Sequence, residues 1–168
     1  MNWLAFFENW IWFGLAATGF AVLFNVPKRT LLLIFIMAAL GGSVKLLFLN
    51  WNNSIVLGTL LGSILIGFLS IYAAHIRHSP PFVFAIPAVI PMVPGSFAYY
   101  TMKGIIKLAN NPSASDFVPL LNETVTNGLK TLFILMTIAL GVFAPMLLTL
   151  RDSAKQIKIS LLKNEKKK

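Results

Sequence analysis

The sequence predicts an all-α integral membrane protein with five transmembrane helices, the fourth of which is interrupted by prolines. The 168 residues are 57% hydrophobic and only 11% charged, and the mean hydropathy is +0.79, which is too apolar for an ordinary soluble domain. Five apolar runs approach the roughly 20 residues that a spanning helix needs. These runs cover about residues 5–26, 31–49, 54–74, 82–102 and 128–150. Residues 1–150 are therefore expected to form one transmembrane domain.

The basic residues lie mostly beside the apolar runs. A net charge of +9 can indicate a nucleic-acid partner, but here the cations flank membrane spans, so the lipid bilayer is the expected partner and nucleic acid is not. When successive connections are assigned to alternate sides, one side receives 10 of the 14 basic residues, including the tail at 151–168. The positive-inside rule then predicts an N-terminus outside and a C-terminus in the cytoplasm. No basic region precedes the first run, which argues against a cleaved signal peptide.

The first two runs each contain a charged residue. Tryptophans crowd the start of the first run and predict an interfacial belt, so Glu8 is expected either to lie shallow or to take part in proton coupling or pairing. Lys45 lies one turn from the far end of the second run. Its ammonium is expected either to extend to the headgroups or to act as a counter-charge to an anionic substrate.

The third run contains small residues that favour close helix packing. Gly58 and Gly62 are four residues apart, a spacing that lets two backbones approach each other. His75 and His78 follow in a polar loop, without further ligands that would indicate a metal site. No metal and no cofactor is expected.

The fourth run, 82–102, cannot be one unbroken helix. Pro87, Pro91 and Pro94 each lack the N–H that bonds the carbonyl four residues earlier, and Gly95 follows. The centre of the run lies near this break. Non-helical backbone at such depth normally lines a cavity, because unsatisfied polar groups are costly in lipid. The break is therefore the candidate site for a permeant substrate.

The break is expected to offer both acceptors and donors. The carbonyls predicted to lose helical partners belong to Val83, Pro87 and Ile90. If the helix restarts at Pro94, the open N–H donors at its positive end belong to Gly95, Ser96 and Phe97. Such a helix start suits an anion. Ser96, Tyr99 and Lys103 share one helical face and are predicted to line one wall, although Tyr99 and Lys103 could instead anchor the interface.

The remaining segments are less apolar. Residues 110–116 indicate a turn and a helix start, and a short amphipathic segment near Phe117 is expected on the membrane surface. Gly141 and Pro145 could kink the fifth run. The basic tail at 151–168 is too polar for another span and is expected along or off the cytoplasmic surface.

Three motifs resemble a known family. They are Phe24-Asn25-Val26-Pro27, Gly41-Gly42 and Ala88-Val89-Ile90-Pro91-Met92-Val93-Pro94-Gly95-Ser96. The chain resembles the small membrane subunit of split threonine/serine exporter family transporters, which include two-component succinate exporters of bacteria. The resemblance covers about residues 14–145. It implies a functional role for Pro91, Pro94 and Gly95 and a structural one for Asn25 and Pro27.

The resemblance also implies a partner and a location. The partner is a larger membrane subunit with a soluble N-terminal region, and the location is the bacterial inner membrane. An odd number of spans starting outside would suit one half of an inverted-repeat transporter.

Two functional hypotheses follow. The first is an export subunit for small carboxylate-bearing metabolites, either threonine and serine or a dicarboxylate such as succinate. A dicarboxylate would need a second positive feature, for which Lys45 and Lys103 are the candidates. The second hypothesis is a non-conducting scaffold that stabilises a partner transporter. An intramembrane enzyme is not supported, because no nucleophile has a visible base and no carboxylate pair is present.

Overall fold

The computed structural model describes the backbone of residues 3–52, 54–110 and 113–165. Side chains are described from residue 6 to residue 149 within these ranges, except at 52 and 114. The described residues form helices joined by short turns, without a β-strand. Its helices are α1 (Trp3–Leu23), α2 (Leu31–Asn52), α3 (Ile55–Arg77), α4 (Phe82–Val89), α5 (Gly95–Ala109) and α6 (Ala114–Glu165). Short 3-10 turns lie at Lys28–Thr30 and Ile90–Met92.

The helices confirm an all-α membrane protein with an interrupted fourth span. Within the described residues, four helices are long and apolar enough to cross a bilayer, and they contain the stretches Phe6–Leu23, Lys28–Trp51, Ile55–Arg77 and Ser115–Thr149. The pair α4 and α5 passes the same test together, but its two parts are bent by 59° at the break. Counting this pair as one span gives the five predicted from the sequence.

The largest departure from the sequence prediction is the length of α6. The sequence indicated a surface segment near Phe117 and a separate fifth span at 128–150, whereas α6 runs without interruption from Ala114 to Glu165. Its 52 residues correspond to about 78 Å. The helix is therefore much longer than the roughly 30 Å hydrocarbon core and extends beyond it. The tail prediction at 166–168 lies outside the described residues.

The start of α6 forms where the sequence indicated it. The Ser113 carbonyl accepts the N–H groups of Asp116 at 3.0 Å and Phe117 at 3.1 Å, and the Ser113 hydroxyl contacts the Asp116 carboxylate. Ser54 similarly precedes α3, where its side chain accepts the N–H of Leu57. Both serines satisfy N–H groups that have no partner inside their own helix.

Helix α3 lies at the centre of the bundle because small residues line two of its sides. On one side, Gly62 lies against the backbone of Gly41 on α2 and against Met92 in the break. On the other side, Gly67 lies against the carbonyl of Gly141 on α6. Glycine at these positions allows close backbone approach, which is how transmembrane helices pack.

The contacts also define the helix directions. Ser63 donates a hydrogen bond to the Thr137 carbonyl at 3.1 Å, and four residues later Gly67 meets Gly141, so α3 and α6 run parallel. Helix α5 instead runs antiparallel to α6, because Thr101 lies at Gly128 while Gly104 lies at Thr124.

We call the bundle end that holds residues 24–30 the Pro27 end, and the opposite end, where α2 finishes, the Trp51 end.

Helix α1 ends in a left-handed residue. Asn25 has φ of 57°, and its N–H donates to the Val22 carbonyl while the N–H of Val26 donates to the Ala21 carbonyl, both at 3.0 Å. This pattern is the Schellman motif, in which a residue with positive φ closes the helix. Asparagine tolerates this conformation better than other non-glycine residues. The structural role that the resemblance implied for Asn25 thus has a physical cause.

Pro27 begins the turn that leads into α2. Its carbonyl accepts both the backbone N–H of Thr30 at 2.9 Å and the Thr30 hydroxyl at 2.7 Å. Thr30 is completely buried. The turn is therefore held by two hydrogen bonds to one carbonyl, which gives Pro27 a structural role as well.

Replacing Asn25 with valine should destabilise the fold by about 1–2 kcal/mol, because a β-branched residue fits the left-handed region poorly. Asn25→Gly should stay close to the wild type, since glycine adopts positive φ freely. The fraction folded during detergent denaturation in mixed micelles measures both. Equal stability of the valine and glycine variants would contradict this account of the α1 terminus.

Candidate functional site

The break consists of a 3-10 turn followed by two non-helical residues. Val93 is extended, with φ −60° and ψ 134°, and Pro94 has φ −82° and ψ 64°. The Pro94 dihedrals are those of an inverse γ-turn, in which the N–H of Gly95 donates to the Val93 carbonyl at 2.9 Å. This turn produces the 59° change of direction between the two half-helices.

Local hydrogen bonds use two of the groups that the sequence predicted to be open. The Ile90 carbonyl accepts the N–H of Val93 at 3.0 Å, and the Gly95 N–H is engaged by the γ-turn. A backbone amide has one hydrogen, and that of Gly95 is already bonded to the Val93 carbonyl. The prediction that Gly95 offers an open donor is therefore wrong. The first helical bond of α5 joins the Ala98 N–H to the Pro94 carbonyl at 3.1 Å. Ser96 and Phe97 come before Ala98 in the chain. Their N–H groups are therefore the first-turn donors that have no acceptor within the helix.

Lys45 reaches the break from α2. Its ammonium donates a hydrogen bond to the Met92 carbonyl at 3.0 Å. Lys45 lies three to four residues past the midpoint of α2, which is about 5 Å toward the Trp51 end. The side chain therefore turns toward the break. This direction is compatible with the counter-charge interpretation of Lys45, which stays a prediction.

Lys130 lies on the other side of the break. Its ammonium lies 5.4 Å from the centroid of the Phe97 ring, within the range of a cation–π contact. Phe97 belongs to the first turn of α5 and packs against the hydrophobic core. The sequence analysis did not single out Lys130 and counted it only among the four basic residues of the less basic side.

Lys103 does not lie at the break. It is exposed and lines a cavity of about 100 Å³ between α5 and α6, together with Lys107 and Glu123. Tyr99, on the same face of α5, is 62% exposed and packs edge-on against Tyr100. The structure therefore separates Lys103 from the positions that flank the break.

The remaining predicted residues differ in exposure. Pro87 and Pro94 are buried, Ile90 and Pro91 are half-buried, and Gly95 and Ser96 are exposed. A β-carbon added to Gly95 would meet nothing within 4 Å. The start of α5 is thus open on the surface of this chain.

A groove of about 250 Å³ joins the break to α1. Pro91 forms one side of this groove, and Asn9, Trp12, Phe13 and Ala16 form the other. Asn9 is a polar side chain of this region that the sequence analysis did not single out. One turn away from Trp12, the exposed Glu8 accepts a hydrogen bond from the Trp12 indole at 3.4 Å.

The electrostatics of the break favour an anion. The half-buried Lys45 donates its ammonium hydrogen bond within the break, near the positive end of α5, and the exposed Lys130 places its ammonium over the Phe97 ring. The acidic side chains that the structure describes have other contacts: Glu8 lies beside Trp12, Asp116 beside Ser113, and Glu123 in the cavity with Lys103. The Lys45 ammonium and the helix start would both attract a carboxylate.

The site does not have the composition of a metal centre. Among the side chains that the structure describes, no three His, Asp or Glu residues lie close enough to hold a metal ion. The ring of His75 contacts the Ile71 carbonyl at 2.8 Å, and His78 ends α3 with φ of 49°. Both histidines therefore have local structural contacts.

Together these features define a multi-pass membrane protein whose interrupted span carries a polar site, an architecture found in secondary transporters. The chain belongs to the Threonine/Serine exporter (ThrE) family, whose profile matches residues 9–148. The family resemblance drawn from the sequence is thus confirmed. An uncharacterized protein of Haemophilus influenzae is 35% identical over 139 residues, which is 83% of this chain and 46% of the relative. The chain spans about half the length of this curated relative. No solved structure matches the chain.

Proposed function

We propose that the chain is the smaller membrane subunit of a bacterial exporter for small carboxylate-bearing metabolites, and that the break binds the carboxylate. The observation that carries the proposal is the hydrogen bond that the half-buried Lys45 ammonium donates to the Met92 carbonyl inside the break. Intramembrane cations are costly and usually mark a substrate pathway. The family membership supports export as the activity.

The geometry supports a definite mode of recognition. The carboxylate would accept the N–H groups of Ser96 and Phe97 and a charge-assisted hydrogen bond from Lys45. Lys45 would then exchange its bond to the Met92 carbonyl for one to the substrate. Pro91 has no N–H, so the Pro87 carbonyl lacks the donor it would bond in a regular helix. This carbonyl would accept a hydrogen bond from an ammonium or hydroxyl group of threonine or serine. Lys130 is the second positive feature that a dicarboxylate such as succinate would require.

The exposure of the break supports a second membrane subunit. The non-helical Val93 and the first-turn residues Gly95 and Ser96 are exposed on this chain, and unpaired backbone groups are costly against lipid. The surface of another membrane protein would cover them. The Haemophilus influenzae relative is about twice as long as the matched region, which is consistent with two halves in one chain. We propose that this chain, with its N-terminus outside and its C-terminus in the cytoplasm of the inner membrane, pairs with a larger subunit that has a soluble N-terminal region.

The double substitution Pro94→Ala and Gly95→Ala tests whether the chain carries substrate. Alanine at 94 restores an N–H that can bond the Ile90 carbonyl and favours a continuous helix. Alanine at 95 has free space, so the fold accommodates it. We expect metabolite efflux to fall at least about tenfold, because the anion-binding turn is lost, while co-purification with the larger subunit stays intact.

Unchanged efflux in this variant would contradict the carrier proposal and favour the scaffold alternative. The large exposed apolar faces of α1, α5 and α6 are the observation that supports a scaffold, because they suit contact with another membrane protein as well as with lipid. Gly19→Ala is the matched control. Its added β-carbon also meets nothing within 4 Å, and it lies on α1 away from the break.

A further inference from the structure

An apolar groove lies at the Pro27 end of the bundle and reaches Pro87 at the edge of the proposed substrate site. Its volume is about 400 Å³, and it runs between the end of α1 and the first turns of α4. The groove is lined by Phe24, Val26, Phe82, Val83, Ile86 and Pro87. Phe24 and Ile86 are each 48% exposed, so the groove opens sideways toward the membrane. Its lining carries no charged or hydroxyl side chain.

Cationic side chains lie next to one end of this groove. The chain continues from Val26 in the groove wall to Lys28 and Arg29, which are both exposed. Arg77, also exposed, ends α3 just before the connection to α4. Neither the 24–30 connection nor residues 77–81 contains an aspartate or glutamate. In these two connections, an apolar groove therefore lies close along the chain to positive charge that no acidic residue of the same connections compensates.

We propose that the groove binds an acyl chain of an anionic phospholipid whose phosphate group lies against Lys28 and Arg29. The acyl chain matches the apolar lining, and the phosphate matches the two cations at the membrane surface. A zwitterionic lipid would fill the groove equally well but would leave the positive charge uncompensated. The bound chain would lie against Pro87, so this lipid would contact the half-helix that leads to the break.

The charge requirement is tested with the purified full-length chain in detergent. Phosphatidylglycerol and phosphatidylcholine with identical acyl chains are titrated, and native mass spectrometry measures the bound lipid. Phosphatidylglycerol should bind more tightly. Each cation near a membrane surface contributes about fivefold in affinity, so Lys28→Gln combined with Arg29→Gln should weaken phosphatidylglycerol binding about 30-fold. The control is Lys103→Gln combined with Lys107→Gln, which removes the same charge from α5.

The groove requirement is tested with Ile86→Trp, which fills the groove from an exposed position. We expect this variant to lose phosphatidylglycerol binding, whereas Leu132→Trp, at a position 51% exposed on α6, should retain it. Equal binding of the two lipids, or full binding by the Ile86→Trp variant, would overturn the proposal. In cells that also contain the proposed larger subunit, failure of the Ile86→Trp variant to co-purify with that subunit, with lipid binding unchanged in detergent, would show that the groove holds protein instead.

Discussion

Replacing Lys45 with glutamine is expected to lower export about 10- to 150-fold. The ammonium of Lys45 is the cation closest to the break, where it bonds the Met92 carbonyl. A hydrogen bond to a charged group contributes about 1.5–3 kcal/mol, which corresponds to that range of affinity for a carboxylate. Glutamine keeps a donor but loses the charge. Efflux of labelled substrate from cells that contain both subunits measures the effect.

The control for this variant is Lys103→Gln. Lys103 lies in the same interrupted span but is exposed and faces the cavity on the α5–α6 hairpin. Its replacement should change efflux less than about twofold, since surface charges contribute little. If Lys103→Gln impaired efflux as strongly as Lys45→Gln, a general loss of positive charge would explain the data and the assigned role of Lys45 would be wrong.

Replacing Gly67 with leucine should destabilise the bundle by about 3 kcal/mol or more. A β-carbon at Gly67 would lie 2.9 Å from the Gly141 carbonyl oxygen and 3.1 Å from the Val142 carbonyl oxygen. These are backbone atoms, so the two helices must separate, and overpacking of this kind is strongly destabilising. Thermal unfolding in detergent and the yield of monodisperse protein both report the loss.

Gly19→Leu is the matched control for the packing prediction. It introduces the same side chain into α1, where a β-carbon meets no atom within 4 Å. Glycine is less favourable than leucine inside a helix, so this variant should be as stable as the wild type or slightly more stable. A wild-type unfolding temperature for Gly67→Leu would show that the α3–α6 contact does not hold the bundle together.

Local sequence signals predicted much of the fold. The prolines of the fourth run located the break, because each removes a specific helical donor. The runs at 5–26 and 54–74 placed helix ends close to Asn25 and Ser54, and the structure shows that these two residues close unsatisfied backbone groups there. These predictions needed no knowledge of distant contacts.

The length of α6 was not predictable in the same way. Residues 113–127 are polar enough to suggest a surface segment. In the fold, this part of α6 packs against α5, with Gly104 against Thr124, and that contact stabilises a continuous helix. Packing against α5 thus makes residues 114–165 one helix. The hydrophobic periodicity of the sequence does not show whether this segment forms one helix or two.

The break was located from the sequence, but the charges around it were identified only in part. The direction of the Lys45 side chain depends on the Met92 carbonyl, 47 residues away, and the contact of Lys130 with Phe97 depends on how α5 folds back on α6. The γ-turn at Pro94 depends on a specific pair of dihedrals, so the sequence could not show that the Gly95 N–H is engaged. The contacts of Lys45 and Lys130 and the dihedrals of Pro94 are therefore known only from the structure, because residue spacing does not determine them.

The most direct test of the central claim is equilibrium binding to this chain, together with the proposed larger subunit, in lipid nanodiscs. Radiolabelled threonine, serine and succinate are each competed with the same compound and with its carboxamide, in which the carboxylate is replaced. The account predicts saturable binding of at least one of these carboxylates, weak competition by its amide, and loss of binding in the Lys45→Gln variant. Equal competition by acid and amide, or undiminished binding after Lys45→Gln, would contradict a carboxylate site at the break.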